Sequence, residues 1–206
     1  MENVSLGLDR IHGQSPDVAR FRRALWPSTE DVTKHAKPQE VEREYRAQVE
    51  RALAMGIHPT HLDTHMGSAL ASPEFLAAYV KIAHEFHLPI LAPRIPGDPL
   101  KLAGLLNEKD VMVDSVTIAN PNVPADKWKE FYLDALKNMK PGLNEIIVHL
   151  AHDDVESQAV MVDHPDYGAA WRQRDFDVLS SPEFKKAIVD NHIVLVRWRD
   201  LQKIVQ

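Results

Sequence analysis

The sequence predicts an α/β fold built on a mainly parallel sheet. Short apolar runs bounded by turn residues alternate with helical stripes of 12–17 residues, the pattern of βα units. Ser72-Pro73-Glu74 and Ser181-Pro182-Glu183 each place a capping hydroxyl, a first-turn proline and an acid in the order that starts a helix. Asp63, His65, Arg94 and His149 all fall at ends of predicted strands, the edge where parallel sheets bind ligands.

The elements follow in order. Residues 1–37 offer no clear strand and no clean helical stripe. From Gln39 to Met55, Val41, Tyr45, Val49, Ala52 and Leu53 recur at helical spacing, and Gly56 marks the stop. Thr60 to His65 reads as a strand. Ser72 opens a helix whose apolar face is Phe75, Leu76, Tyr79, Ile82, Ala83 and Phe86. Leu88 to Leu91 reads as a strand running toward Arg94, Pro99 to Asn107 as a short helix, and Asp110 to Val116 as a strand. Trp128, Phe131, Tyr132, Ala135, Leu136 and Met139 predict a helix over Pro124 to Met139 that Pro141-Gly142 ends. Glu145 to His149 predicts a buried strand closing on a histidine. Ala151 to Ser180 reads as a long polar loop with short turns, in which Asp153 and Asp154 open a short helix. The Ser181 helix leads to a last buried strand, Ile193 to Val196.

Composition narrows the function classes. The 206 residues suit one domain, with 44% hydrophobic and 26% charged residues, which argues against disorder. A net charge of −6 and a pI near 6.0 leave no basic footprint for nucleic acid. No apolar run approaches the roughly 20 residues of a membrane helix, and the first residues lack a signal-peptide pattern. A cytoplasmic protein with no membrane partner is the expectation. With no cysteine in the chain, a metal would rely on His, Asp, Glu and water. No glycine-rich phosphate loop or Gly-x-Ser-x-Gly elbow occurs.

His61-Leu62-Asp63-Thr64-His65 carries the most chemistry. On a straight strand, residues 61, 63 and 65 face one side, and Cα atoms at i and i+4 lie about 13 Å apart. Metal–nitrogen bonds are about 2.0–2.1 Å, so His61 and His65 share one ion only if the strand breaks between them. Asp63 and His65, at i and i+2, can share an ion, or Asp63 can orient a neighbouring ligand. Among the 11 histidines, His12, His35, His84, His87 and His192 read as surface or boundary residues. Arg94 suits a carboxylate or an acid needing orientation.

Thr60-His61-Leu62-Asp63-Thr64-His65-Met66-Gly67 resembles the signature of the YdjC-like (ChbG/HpnK) carbohydrate deacetylases. The resemblance extends over residues 36–206 through Ala36-Lys37-Pro38, Ser72-Pro73-Glu74-Phe75, Leu88-Pro89 to Arg94, Ile147-Val148-His149, Trp171 through Arg174-Asp175-Phe176 to Ser181-Pro182-Glu183, and Arg197-Trp198-Arg199-Asp200. It implies an incomplete (β/α) barrel of the polysaccharide-deacetylase type, and removal of N-acetyl groups from amino sugars or chito-oligosaccharides. It implies a divalent ion, magnesium with zinc as the alternative, with His65 as a metal ligand. Asp63 and His149 are the catalytic candidates, His149 protonating the leaving amine. His61, Arg94 and Asp175 are candidates for substrate binding or for orienting the groups that touch it.

The family's opening Asn-Ala-Asp-Asp-Phe-Gly-like and Gly-x-His-x-x-Leu-Thr-like segments have no counterpart here; Asp9 and His12 lack the flanking pattern. The expectation is one domain over 1–206, with residues 1–35 divergent or poorly ordered and the first catalytic strands missing. Three functions then compete: a deacetylase that recruits Asp63 or Asp175 as a ligand, a silent homologue that binds carbohydrate or persists as a folded fragment, and a metal-dependent hydrolase of another substrate. An open sheet edge would favour pairing with another chain, a homo-oligomer included.

Overall fold

The computed structural model describes residues 4–5, 26, 28–162, 164 and 166–205. The chain divides into two compact units, residues 1–112 with 196–206, and residues 113–195. Asp9 and His12 lie outside the described residues.

The first unit is organised by two helices. Helix α1, Thr29–His35, lies where no helical stripe is expected; Ser28 Oγ caps it by accepting from Asp31 N–H at 3.1 Å. Only Val32 of α1 is buried, which is why it leaves no periodic trace. Helix α2, Pro38–Ala54, starts on its proline, and Glu40 Oε2 accepts from the Lys37 N–H at 3.1 Å. Its buried face is Val41, Tyr45, Val49 and Ala52, while Leu53 is exposed. Gly56, at φ 80°, occupies the left-handed conformation that ends the helix.

Helix α3, Pro73–Glu85, begins at Ser72, whose Oγ accepts from Phe75 N–H at 3.2 Å. It buries Phe75, Leu76, Ala78, Tyr79, Val80, Ile82 and Ala83, each large side chain contributing about 1.5–3 kcal/mol over exposure. Phe86 is only half-buried. Tyr45 and Tyr79 meet edge to face across α2 and α3, with centroids 6.1 Å apart. At the rim, Arg46 grips Glu85 through two bonds of 2.9 and 2.7 Å.

Against this pair lies a small parallel sheet. Strand β1, Val4–Ser5, pairs in parallel with β2, Leu62–Asp63, in the register Val4↔Leu62 and Ser5↔Asp63. On the other side of β2, Leu62 bridges Ile90 in parallel. Tyr79 Oη donates to the Leu62 carbonyl at 2.6 Å, tying β2 to α3. The Thr60–His65 strand is thus shorter than the sequence predicts, and Leu88–Leu91 contributes one bridge rather than a strand. Pro99–Asn107 holds only a single 3-10 turn, Leu102–Gly104, whose N–H groups are met by the Asp98 carboxylate.

The second unit contains a βαβ element. Strand β3, Ser115–Ile118, runs parallel to β4, Asn144–Ile147, in the register Ser115↔Asn144 to Ile118↔Ile147. Helix α4, Trp128–Lys137, joins them and buries Trp128, Tyr132 and Leu136. The strand expected over Asp110–Val116 therefore begins later. Strand β4 ends before His149, and its residues are half-buried rather than buried.

Ala151–Ser180 is not a loop. Helix α5, Val155–Val160, is capped by Asp154, which accepts from Ser157 N–H at 2.8 Å as that residue's position predicts. Helix α6, Ala169–Ser180, buries Ala169, Trp171, Asp175 and Val178. Helix α7, Pro182–Asp190, follows at the predicted Ser181 cap. Ile193–Val196 forms no strand, and Val194 is 81% exposed. A β-branched run has high strand propensity, but the ladder needs a neighbour to accept its hydrogen bonds. Helix α8, Trp198–Val205, closes the described chain and belongs to the first unit. No helix among the described residues is long and apolar enough to cross a membrane.

Candidate functional site

The histidine motif straddles the end of β2. His61 precedes the strand and is buried, 6% exposed. Its ring stacks on Trp198 of α8, centroids 4.4 Å apart and planes 7° from parallel, and its Nδ1 lies 3.2 Å from Thr60 Oγ1. Removal from water disfavours the imidazolium, and the pKa is pushed down to about 4. His61 is thus a neutral, packed ring at physiological pH.

Asp63 ends β2 and is half-buried, held in register with Ser5. The strand breaks immediately after it. Thr64 is buried and its Oγ1 accepts from the Ala69 N–H at 2.8 Å, drawing the chain into a turn over His65–Leu70. Met66 and Gly67 follow with φ of 55° and 71°, two left-handed residues in succession. His65 is lifted out of the strand and exposed. The 61-63-65 alternation of an extended strand does not hold at its third member, so the straight-strand distance no longer separates His61 from His65. Burial against Trp198 does so instead. Arg94 lies beyond the Ile90 bridge and is exposed.

The second unit centres on His149, two residues past the end of β4 and half-buried. Its ring meets Tyr167 edge on, centroids 5.5 Å apart. Its backbone N–H donates to Asp175 Oδ2 at 3.0 Å. Asp175 is 1% exposed on α6, and its other oxygen accepts from Trp128 Nε1–H at 2.8 Å and Tyr132 O–H at 2.7 Å. Burial first, and the hydrogen bond to Asp175 second, push the Tyr132 hydroxyl far above its ordinary pKa. Trp171 meets Trp128 edge on at 4.6 Å, and the Arg174 guanidinium lies 4.6 Å from the Trp128 centroid.

Within the first unit the structure gathers His61, Asp63 and His65 at one strand end, and within the second it gathers His149 and Asp175. Sequence reasoning missed Trp128, Tyr132 and Trp198 as the partners of these residues. The signal for the first two was present: Trp171, Asp175 and Val178 sit at helical spacing, and a carboxylate inside an apolar stripe demands buried donors. Among the described residues, no group of three or more His, Asp or Glu side chains is arranged to hold an ion.

The model of the YdjC-like protein family matches residues 9–190. Three curated relatives are named carbohydrate deacetylase. That of Thermus thermophilus is 31% identical over 184 residues, covering 85% of this chain and 65% of the relative. That of Thermoanaerobacter pseudethanolicus is 26% identical over 182 residues, 88% of this chain and 66% of the relative. That of Brevibacillus brevis is 28% identical over 183 residues, 88% and 67%. The chain thus spans about two thirds of the length of these relatives. A crystal structure from Enterococcus faecalis, of a protein provisionally described as a cellobiose-phosphate cleavage protein, superposes with a TM-score of 0.71 at 20% identity. It covers 97% of this chain and 76% of its own, and supports the α/β fold alone. On the extent of the family match, this chain belongs to the YdjC-like protein family.

Proposed function

We propose that this chain acts in the hydrolysis of N-acetyl groups on amino sugars or chito-oligosaccharides. The observation that carries the reading is positional. In each unit a histidine lies just past the carboxyl end of a parallel strand, His65 after β2 and His149 after β4, where α/β folds bind ligands. The three carbohydrate deacetylases among its relatives supply the chemistry. An incomplete (β/α) barrel is the accompanying fold reading, supported by the parallel pairing in both small sheets. A cytoplasmic location accompanies it from composition.

Each unit contributes its own candidate roles to this reading. In the second, His149 would hold the proton that a leaving amine needs as the C–N bond breaks; in the first, Asp63 would take a proton from water and Arg94 would contact the sugar, while the buried His61 packs the strand end against Trp198. A divalent ion, magnesium or zinc, would polarise the acetyl carbonyl, and His65 would be one of its ligands. The described donors are too few to enclose that ion by themselves.

Acetate release from chito-oligosaccharides, with magnesium or zinc supplied, tests the proposal. The unaltered chain should release acetate, and His149→Ala should lower kcat by roughly 10²–10⁴-fold. A second reading, a silent homologue that binds carbohydrate, is favoured by the exposure of His65 outside any three-donor group. Calorimetric sugar binding without acetate release would establish that reading and end the first.

A further inference from the structure

We infer that Asp175 is a positioning residue for His149, fixing the backbone from which that imidazole projects. The inference rests on the reading of His149 as proton donor, but its structural half stands apart from it. Residue 149 lies beyond the last ladder pair, Ile118↔Ile147, so its N–H has left the strand's hydrogen-bond register. Asp175 Oδ2 takes that N–H at 3.0 Å. The other oxygen is anchored twice on α4, by Trp128 Nε1–H at 2.8 Å and Tyr132 O–H at 2.7 Å. One carboxylate therefore bridges α4, α6 and the end of β4.

The ring of His149 is tied to the same cluster. It meets Tyr167, whose ring packs on Trp171 with centroids 4.4 Å apart, and Trp171 packs on Trp128. Backbone and ring thus share one support. Burying a carboxylate is costly unless its lone pairs are met, and an apolar residue could fill the same volume without that cost. What an apolar residue cannot do is accept the His149 N–H.

The experiment uses the whole chain, labelled with 15N and 13C. In the unaltered protein, NMR should show a through-hydrogen-bond coupling between the His149 amide nitrogen and the Asp175 carboxyl carbon. Its absence overturns the inference. Asp175→Asn should shift the His149 amide and imidazole Cε1–Hε1 resonances, whereas Tyr132→Phe and Trp128→Phe, which spare the His149 bond, should leave the amide near its original position, the imidazole moving with Trp128→Phe only through the shared ring chain. Should Asp175→Asn fail to fold, the coupling and the two spared-bond variants still decide. Resonances that stay put in Asp175→Asn, or move equally in all three variants, reduce Asp175 to a core staple. With acetate release as readout, Asp175→Asn should lower kcat roughly 10–100-fold with KM little changed. A chain that releases no acetate at all sinks the functional reading while leaving the resonance outcomes to judge the positioning.

Discussion

The two histidine-bearing strand ends solve the same problem in opposite ways. At β2, His61 is held by burial and by stacking on Trp198, which leaves its ring uncharged and sealed off. At β4, His149 is held through its backbone by a buried carboxylate, and its ring stays half-buried beside Tyr167. Holding the ring itself makes a histidine structural. Holding the backbone fixes the point from which the ring projects, which is what the proposed proton-donor role of His149 requires. His65, lifted clear by the left-handed pair Met66 and Gly67, is held by neither device, which suits a residue whose geometry is completed by a ligand.

The largest effect that separates the two ends is loss of the carboxylate. Asp175→Ala leaves Trp128 Nε1–H, Tyr132 O–H and the His149 N–H without their acceptor, at about 1–3 kcal/mol each and not fully additive. Urea denaturation should show a loss of about 3–5 kcal/mol; a loss below 1 kcal/mol would mean that water or a rearranged side chain replaces the carboxylate.

Next comes the pH response of the other end. His61 titrates near 4 in the folded chain and near 6.5 when unfolded, so the unfolded chain takes up a proton first as pH falls. The His61 contribution is complete above about pH 6.5 and declines toward pH 4, by on the order of 3 kcal/mol. Comparing urea midpoints at pH 7 and 4.5, His61→Phe should show a shallower decline than the unaltered chain. Parallel declines would show that His61 is not sealed from water.

Trp198→Ala sharpens the same point with a smaller effect. Removing the half-buried indole should cost about 2 kcal/mol, below the range for a fully buried Trp, and NMR titration should find the His61 pKa moved up toward 6.5. A pKa that stays near 4 would place its cause in the rest of the pocket rather than in α8. The smallest effect is expected at His65. His65→Ala should change stability by less than about 0.5 kcal/mol, as exposed substitutions do, while weakening any magnesium or zinc binding measured by calorimetry. Unchanged binding would remove His65 as a ligand.

How far these features were legible depended on the range of the interactions behind them. The caps at Ser72 and Ser181 and the stop at Gly56 were readable because capping involves neighbours three residues away. Helix α2 was readable because its stripe is uninterrupted. Helix α6 was not, since Asp175 occupies a stripe position that pattern reading reserves for apolar residues. The run Ile193–Val196 read as a strand on propensity, yet no described neighbour completes its ladder. Asp153 and Asp154 were recognised together as the opening of a short helix for the same local reason, and Asp154 is the one that caps it.

The sequence by itself determined the helix starts at Ser72 and Ser181, the α/β class, the family through its His-x-Asp-x-His run, and the placing of His65 and His149 at strand ends. All of these depend on spacing along the chain or on backbone periodicity. Only the tertiary structure decided that His61 is a packed, neutral ring, that the strand breaks after Asp63, and that Asp175 serves the backbone of His149. Two of those outcomes turn on partners far away in sequence, Trp198 for His61 and Trp128 and Tyr132 for Asp175, while the break after Asp63 comes from the Thr64–Ala69 bond and the left-handed pair that follows. Desolvation and hydrogen-bond satisfaction are properties of the packed neighbourhood, and no local pattern encodes them.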